Sequence, residues 1–336
     1  LAQAFIDSTP SDIAPRRQKP ESAPAQFRLD PGVAAAWTAT KAVRWQAVDL
    51  AALLAEDAVS DATPGVPKRI GVTRNVPGGM LTPANAGTWT NLPDGAAVWL
   101  LRLEAADAKA IRIHFSRFDL DQGAEVRLRG MIDGVDAYRG KGPNDDAAFW
   151  AAATPGDVAY LEYIHPRGKR DVQLEIDVIS HFYRDPGFLP PQAQPNVPED
   201  PEGLLACHQS VMCHEVDVAG RDAVGLMIFD GGFLCSGALL NDVDANTFAG
   251  YFLTANHCIS TQSSANSLTV YWFYQPGTCG GAVPPLSLRP KSIGAKLLAT
   301  SSLSDFSFLR FNNDPEDGEG FAAWTTAIPA SSGAAV

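Results

Sequence analysis

The chain has 336 residues, 46% of them hydrophobic, enough to bury a sizeable core and, at usual domain lengths, to form two domains with connecting material. With 38 acidic against 26 basic residues the formal net charge is -12, which argues against a phosphate backbone, and so against nucleic acid, as a partner. No apolar run approaches the roughly 18 residues of a membrane-spanning helix, so no membrane partner is expected.

Leu1-Ala2-Gln3-Ala4 has the small-x-small pattern that closes a secretory signal peptide, and residues 1–4 are read as a remnant of one. Residues 1–40, rich in Pro, Ala, Ser and charge, read as a flexible leader. From Val43 to Val59 the apolar positions Val43, Ala47, Leu50, Leu54 and Ala58 recur at helical spacing, which predicts one amphipathic helix within a leader and pro-region over 1–66. Pro64-Gly65 stops it.

Over 67–183 the texture changes to alternating runs parted by Gly, Asp and Pro: 97–103, 110–115, 124–129 and 172–178. Half-buried strands without a helical period predict an antiparallel β-sandwich of jelly-roll type. His114, in such a strand, and His165, beside Pro166, read as structural. Residues 184–205 hold Pro186, Pro190, Pro191, Pro195, Pro198 and Pro201, a density that blocks helix and ladder alike and predicts an interdomain linker. Further short strands follow at 223–229, 233–240, 251–254, 268–274, 292–298 and 306–311, the texture of a β-barrel. The class is therefore all-β, with no feature that speaks to oligomeric state.

All five cysteines, Cys207, Cys213, Cys235, Cys258 and Cys279, fall in this last unit, over 206–336. An oxidising compartment pairs four and leaves one over, which fits a secreted, extracellular location. Three segments here carry chemistry: Phe233-Leu234-Cys235-Ser236-Gly237-Ala238-Leu239-Leu240, Tyr251-Phe252-Leu253-Thr254-Ala255-Asn256-His257-Cys258 and Ser304-Asp305-Phe306-Ser307-Phe308-Leu309. In them the sequence resembles chymotrypsin-fold (trypsin-like) serine peptidases, the bacterial lysyl endopeptidases most closely, over about 205–336 and more loosely upstream.

The resemblance implies that 206–336 is the first barrel of a double barrel, with His257 as general base and Asp305 as the acid that orients it. A serine hydroxyl becomes a competent nucleophile when a neutral imidazole takes its proton, and that imidazole needs a carboxylate on its other nitrogen. The same resemblance implies the disulfides Cys235–Cys258 and Cys213–Cys279, with Cys207 unpaired until a cysteine beyond Val336. Triad chemistry uses no cofactor and no metal. Two Cys and two His at Cys207-His208 and Cys213-His214 offer the donor types of a zinc site, but lack its usual two-to-four-residue gap.

The nucleophile, the oxyanion hole and the specificity pocket belong to the family's second barrel, expected beyond Val336. Ser236 is a strand position, and Ser331 and Ser332 lie too near Asp305, so none is assigned as nucleophile. The expected function is a secreted serine endopeptidase precursor acting on protein or peptide substrates, after Lys or Arg, with the sandwich as a pro-region; these residues by themselves are expected to be inactive. The alternative is a secreted, non-catalytic binding or adhesion protein with a degenerate peptidase domain.

Overall fold

The computed structural model describes residues 36–37, 39–130, 134–165, 169–188, 211–213, 218–242, 247–279, 281–314 and 320–324. In chain order the first half runs β1 (Ala42–Trp45), α1 (Leu50–Asp61), β2 (Lys68–Arg69), β3 (Gly71–Asn75), β4 (Thr88–Asn91), β5 (Ala97–Ala105), β6 (Ala110–Asp119), β7 (Glu125–Arg129), β8 (Val135–Tyr138), β9 (Phe149–Trp150), β10 (Thr154–Pro155), β11 (Val158–His165) and β12 (Gln173–Phe182). The second runs α2 (Val218–Asp222), β13 (Val224–Phe229), β14 (Phe233–Leu240), β15 (Tyr251–Thr254), α3 (Gln262–Ser267), β16 (Thr269–Trp272), β17 (Lys291–Ile293), β18 (Ala295–Ser301) and β19 (Phe306–Phe311). The fold is mostly β, as the alternating runs predict.

Among the described residues the strands form three sheets. One has the order β1-β5-β11-β7-β8 with β4 also on β5, another the order β10-β6-β12-β3 with β9 on β6. Their facing side chains, among them Trp99, Leu101 and Leu103 of β5 and Ile113, Phe115 and Phe118 of β6, share one buried cluster. Alternation supplies this face, since successive strand residues point to opposite sides. The third sheet has the order β17-β16-β13-β14-β15-β19-β18 and encloses its own cluster around Phe252, Trp272, Leu309 and Phe311.

Two expectations at the amino end are corrected. Ala42–Trp45 is a strand lying parallel to β5, and the helix begins at Leu50, after Asp49, whose carboxylate accepts from the Ala52 N–H at 3.0 Å. Trp45 is drawn into the sheet core and its Nε1 donates to the Asn75 carbonyl, which outweighs the helical period at Val43 and Ala47. Leu50 and Leu54 are exposed, and the one buried residue of α1 is Asp57, so the helix has no apolar buried face. Trp37, inside the stretch read as leader, is also buried. It caps the outer side of β5 with Val98 and Leu100, and donates from Nε1 to Glu162 at 3.0 Å.

The two halves are closely joined. A shared cluster brings Ile70, Ala110, Ala153, Phe182 and Phe188 against Ile228, Tyr271 and Leu286. At its edge Arg112 of β6 is fully buried: Nε donates to the Ala151 carbonyl at 2.8 Å, and Nη2 to the Ser267 carbonyl and to Thr269 Oγ1. The Trp150 ring lies 5.5 Å from its guanidinium carbon. Burial without a carboxylate partner pushes this guanidinium down to about 10. Asn144 bridges as well, donating to the Asn266 carbonyl and accepting from Asn312 Nδ2, and Lys291 meets Asp136 at 2.7 Å.

His181 of β12 is buried, and its Nε2 has no hydrogen-bond partner among the described residues. Burial, seconded by the Arg74 charge, pulls the imidazole down to about 4. Between about 4 and the ordinary 6.5 the unfolded chain therefore binds the extra proton. This contribution is fully present above 6.5 and is lost as the pH falls toward 4, by up to about 3 kcal/mol. Urea unfolding at pH 4.5 and 7.5 is expected to show this drop, and His181→Leu to remove most of it. An unchanged difference in the variant would refute the assignment.

Candidate active site

β15 and β19 run antiparallel, with Thr254 opposite Ser307. The chain leaving β15 and the chain entering β19 therefore lie at the same end of the sheet, and this brings His257 to Asp305. Oδ2 of Asp305 lies 2.7 Å from His257 Nδ1, and Oδ1 accepts the His257 backbone N–H at 2.9 Å. Both carboxylate oxygens are engaged by one residue, so ring and main chain are fixed together. An ionised carboxylate can only accept, so Nδ1 carries a proton, and the neutral form of the ring then has its lone pair on Nε2. The backbone N–H, then the ring, hold the Asp305 carboxyl below its usual range. Asp305 itself adopts φ +48°, a left-handed conformation that Asp tolerates better than most residues.

Cys258 is bonded to Cys235 of β14, which fixes the turn carrying His257, and Cys213 is bonded to Cys279. These are the two pairs that the resemblance implies. Cys207, His208, His214, Ser331 and Ser332 lie outside the described residues. Cys213 is thus unavailable as a zinc thiolate. Cys235, His257 and Cys258 offer three ligand-type atoms within 4.8 Å of one another, but two are the sulfurs of the disulfide, which leaves a single imidazole. Ser236 sits on β14 opposite Leu226, its carbonyl accepting from Thr254 Oγ1 at 2.9 Å.

Beneath the pair runs a hydroxyl network that sequence reasoning did not find. Asn256 Nδ2 donates to Thr300 Oγ1 at 2.7 Å, Thr300 Oγ1 lies 2.6 Å from Ser307 Oγ, and the buried Ser307 donates to the Ile259 carbonyl. It ties both flanks of His257 to β18 and β19. A second His–carboxylate contact occurs at His114 Nδ1 and Asp177, 2.7 Å apart, with Trp150 packed on the ring. His165 is buried with Nε2 3.6 Å from Asp121.

Comparison with known proteins defines the class first: both halves of the chain match domains of a peptidase family. Residues 41–183 match the lysyl endopeptidase N-terminal domain, and residues 205–336 match the lysyl endopeptidase C-terminal domain. Together these matches cover most of the chain and support its membership of the lysyl endopeptidase family. A curated relative, the lysyl endopeptidase of Pseudomonas aeruginosa, is 26% identical over 294 residues, which take in 80% of this chain. The chain spans 60% of that relative's length.

Proposed function

We propose that this chain supplies the general base and the orienting acid of a secreted serine endopeptidase that cuts polypeptides after lysine. The observation that carries this reading is the double hold of Asp305 on His257, at ring and backbone. In the reaction, Nε2 of His257 takes the proton of a serine hydroxyl as that oxygen attacks the scissile carbonyl, and returns it to the leaving amine. Asp305 holds the tautomer and stabilises the imidazolium. We place the serine, the oxyanion hole and the lysine pocket on a segment beyond Val336, in keeping with the greater length of the curated relative.

In the same reading residues 67–183 form a jelly-roll-like sandwich that serves as pro-region, with 1–66 as leader. Residues 184–205 are the linker cut on activation, and 206–336 form the first barrel of a chymotrypsin-like pair. Two disulfides suit an exported protein. Among the described residues no helix is long and apolar enough to cross a membrane. The relative's name supplies the preference for lysine. A non-catalytic binding protein would have no use for an imidazole oriented in this way.

The test is to express the full-length protein and digest a denatured protein mixture, reading the new termini by mass spectrometry. Cuts after lysine, abolished by a serine-directed sulfonyl fluoride, are expected. Intact substrate at every stage of processing, or cleavage indifferent to that reagent, would sink the proposal.

A further inference from the structure

The turn leaving α1 reaches the His257–Asp305 pair from the other half of the molecule. A Cβ placed on Gly65, which has φ +75°, would stand 3.9 Å from His257 Nδ1. Directly after this turn, β2 joins the third sheet as an added strand, antiparallel to β14, with Arg69 opposite Phe233 and Lys68 opposite Leu234. The pairing continues as the Ile70 and Gly71 N–H groups both donate to the Gly232 carbonyl. The next residue of β14 is Cys235, bonded to the neighbour of His257. One continuous segment therefore passes His257 and then hydrogen-bonds the stretch of β14 beside it that β15 leaves unpaired, a local edge within the sheet.

A sheet edge next to a catalytic base is where an extended polypeptide would be held by main-chain hydrogen bonds. We propose that Thr63–Arg69 is a built-in blocking strand, occupying beside His257 the edge that an extended substrate backbone would otherwise take. The inference rests on the peptidase reading above. Its occupant is this chain's own segment, fastened by a charged latch. Arg69 donates to Asp57 at 2.7 Å and to Glu56 at 2.8 Å, while Tyr183 Oη reaches the other Asp57 oxygen at 2.5 Å. Arg184 adds Asp57 at 3.2 Å and Asp61 at 2.7 Å. This explains why an acid is the buried residue of α1: Asp57 clamps the helix to the far end of the strap, so that the turn at Gly65 is held between two fixed points.

The test uses full-length uncut precursor in three forms: wild type, Asp57→Asn, and a three-glycine insertion between Gly65 and Val66. The insertion falls in an exposed turn and keeps the result interpretable where Asp57→Asn fails to fold. Labelling of His257 by diethyl pyrocarbonate is followed by mass spectrometry, with amide exchange at Ile70 and Gly71 and peptide cleavage measured in parallel. Slackening the strap is expected to speed labelling and raise precursor activity by about tenfold, as the open fraction rises. Unchanged labelling and activity, in a precursor that His257→Ala inactivates, would overturn the blocking strand and leave the peptidase reading intact. Faster labelling with no cleavage from any form, cut or uncut, would overturn the peptidase reading and the inhibitory role together.

Discussion

On the peptidase function proposed above, Asp305→Asn is expected to lower kcat of the full-length protein by about 10⁴-fold with little change in KM. The carboxylate can only accept, and it accepts twice, from Nδ1–H and from the His257 backbone N–H. An amide in its place would offer one oxygen for two donors. Its NH₂ group would favour the tautomer with a bare Nδ1, which puts the proton on Nε2 and removes the base. His257→Ala should cost at least as much, and the double variant no more than the worse single one, because the two residues act as a unit. Additive losses would contradict that coupling. The direction of the Asp305 shift adds a pH statement. With its carboxyl held below the usual aspartate range, the ionised pair is present above that range and is lost only as the pH falls through the lowered value. The acid limb of the kcat/KM profile is therefore not set by Asp305 in the wild type, and carbon-13 titration of the Asp305 carboxyl should give a midpoint below the ordinary value of about 3.9.

Arg112→Ala should destabilise the whole described assembly by about 4 kcal/mol, since it strips buried acceptors of their donor and leaves a side-chain-sized void. Opposing this is the cost of burying the guanidinium, seen in its fall to about 10 and in an Nη1 without a partner among the described residues. The balance still favours arginine, because three acceptors from two segments, Ala151, Ser267 and Thr269, turn toward it. Arg112→Met, which fills the space without donating, should lose less than the alanine variant. Denaturant titration followed by tryptophan fluorescence, with Trp150 lying over Arg112, reads both. An alanine variant within about 1 kcal/mol of wild type would show that the hydrogen bonds merely offset desolvation.

The strands that alternate apolar and polar residues were legible from sequence because a half-buried strand repeats every two residues; Phe233–Leu240, Tyr251–Thr254 and Phe306–Phe311 appear with those bounds. His257 and Asp305 were legible through their flanking segments, and the structure brings them together. Arg112 was not. In Ala110-Ile111-Arg112-Ile113 it occupies a position that alternation assigns to solvent, and only the other half of the chain converts that face to interior. β2 escaped because two residues cannot show a period, and the Gly65 approach because a close contact across distant segments leaves no local mark. The network of Asn256, Thr300 and Ser307 escaped for a related reason: single hydroxyls and amides meet there without any spacing rule.

The turn from Asp230 to Gly232 joins β13 to β14, and the same turn receives the backbone of the first half. A Cβ on Gly232, which has φ +140°, would lie 2.8 Å from Gly71 Cα, and a Cβ on Gly71 would lie 2.5 Å from the Phe182 ring. Gly232 has no room for a side chain while Gly71 of the first half stays where it is, and Gly71 has none because Phe182 and Ser180 of its own half close over it. A lineage that kept the third sheet and dropped the first half would lift only the steric part of the constraint on Gly232, because its φ of +140° would go on favouring glycine there.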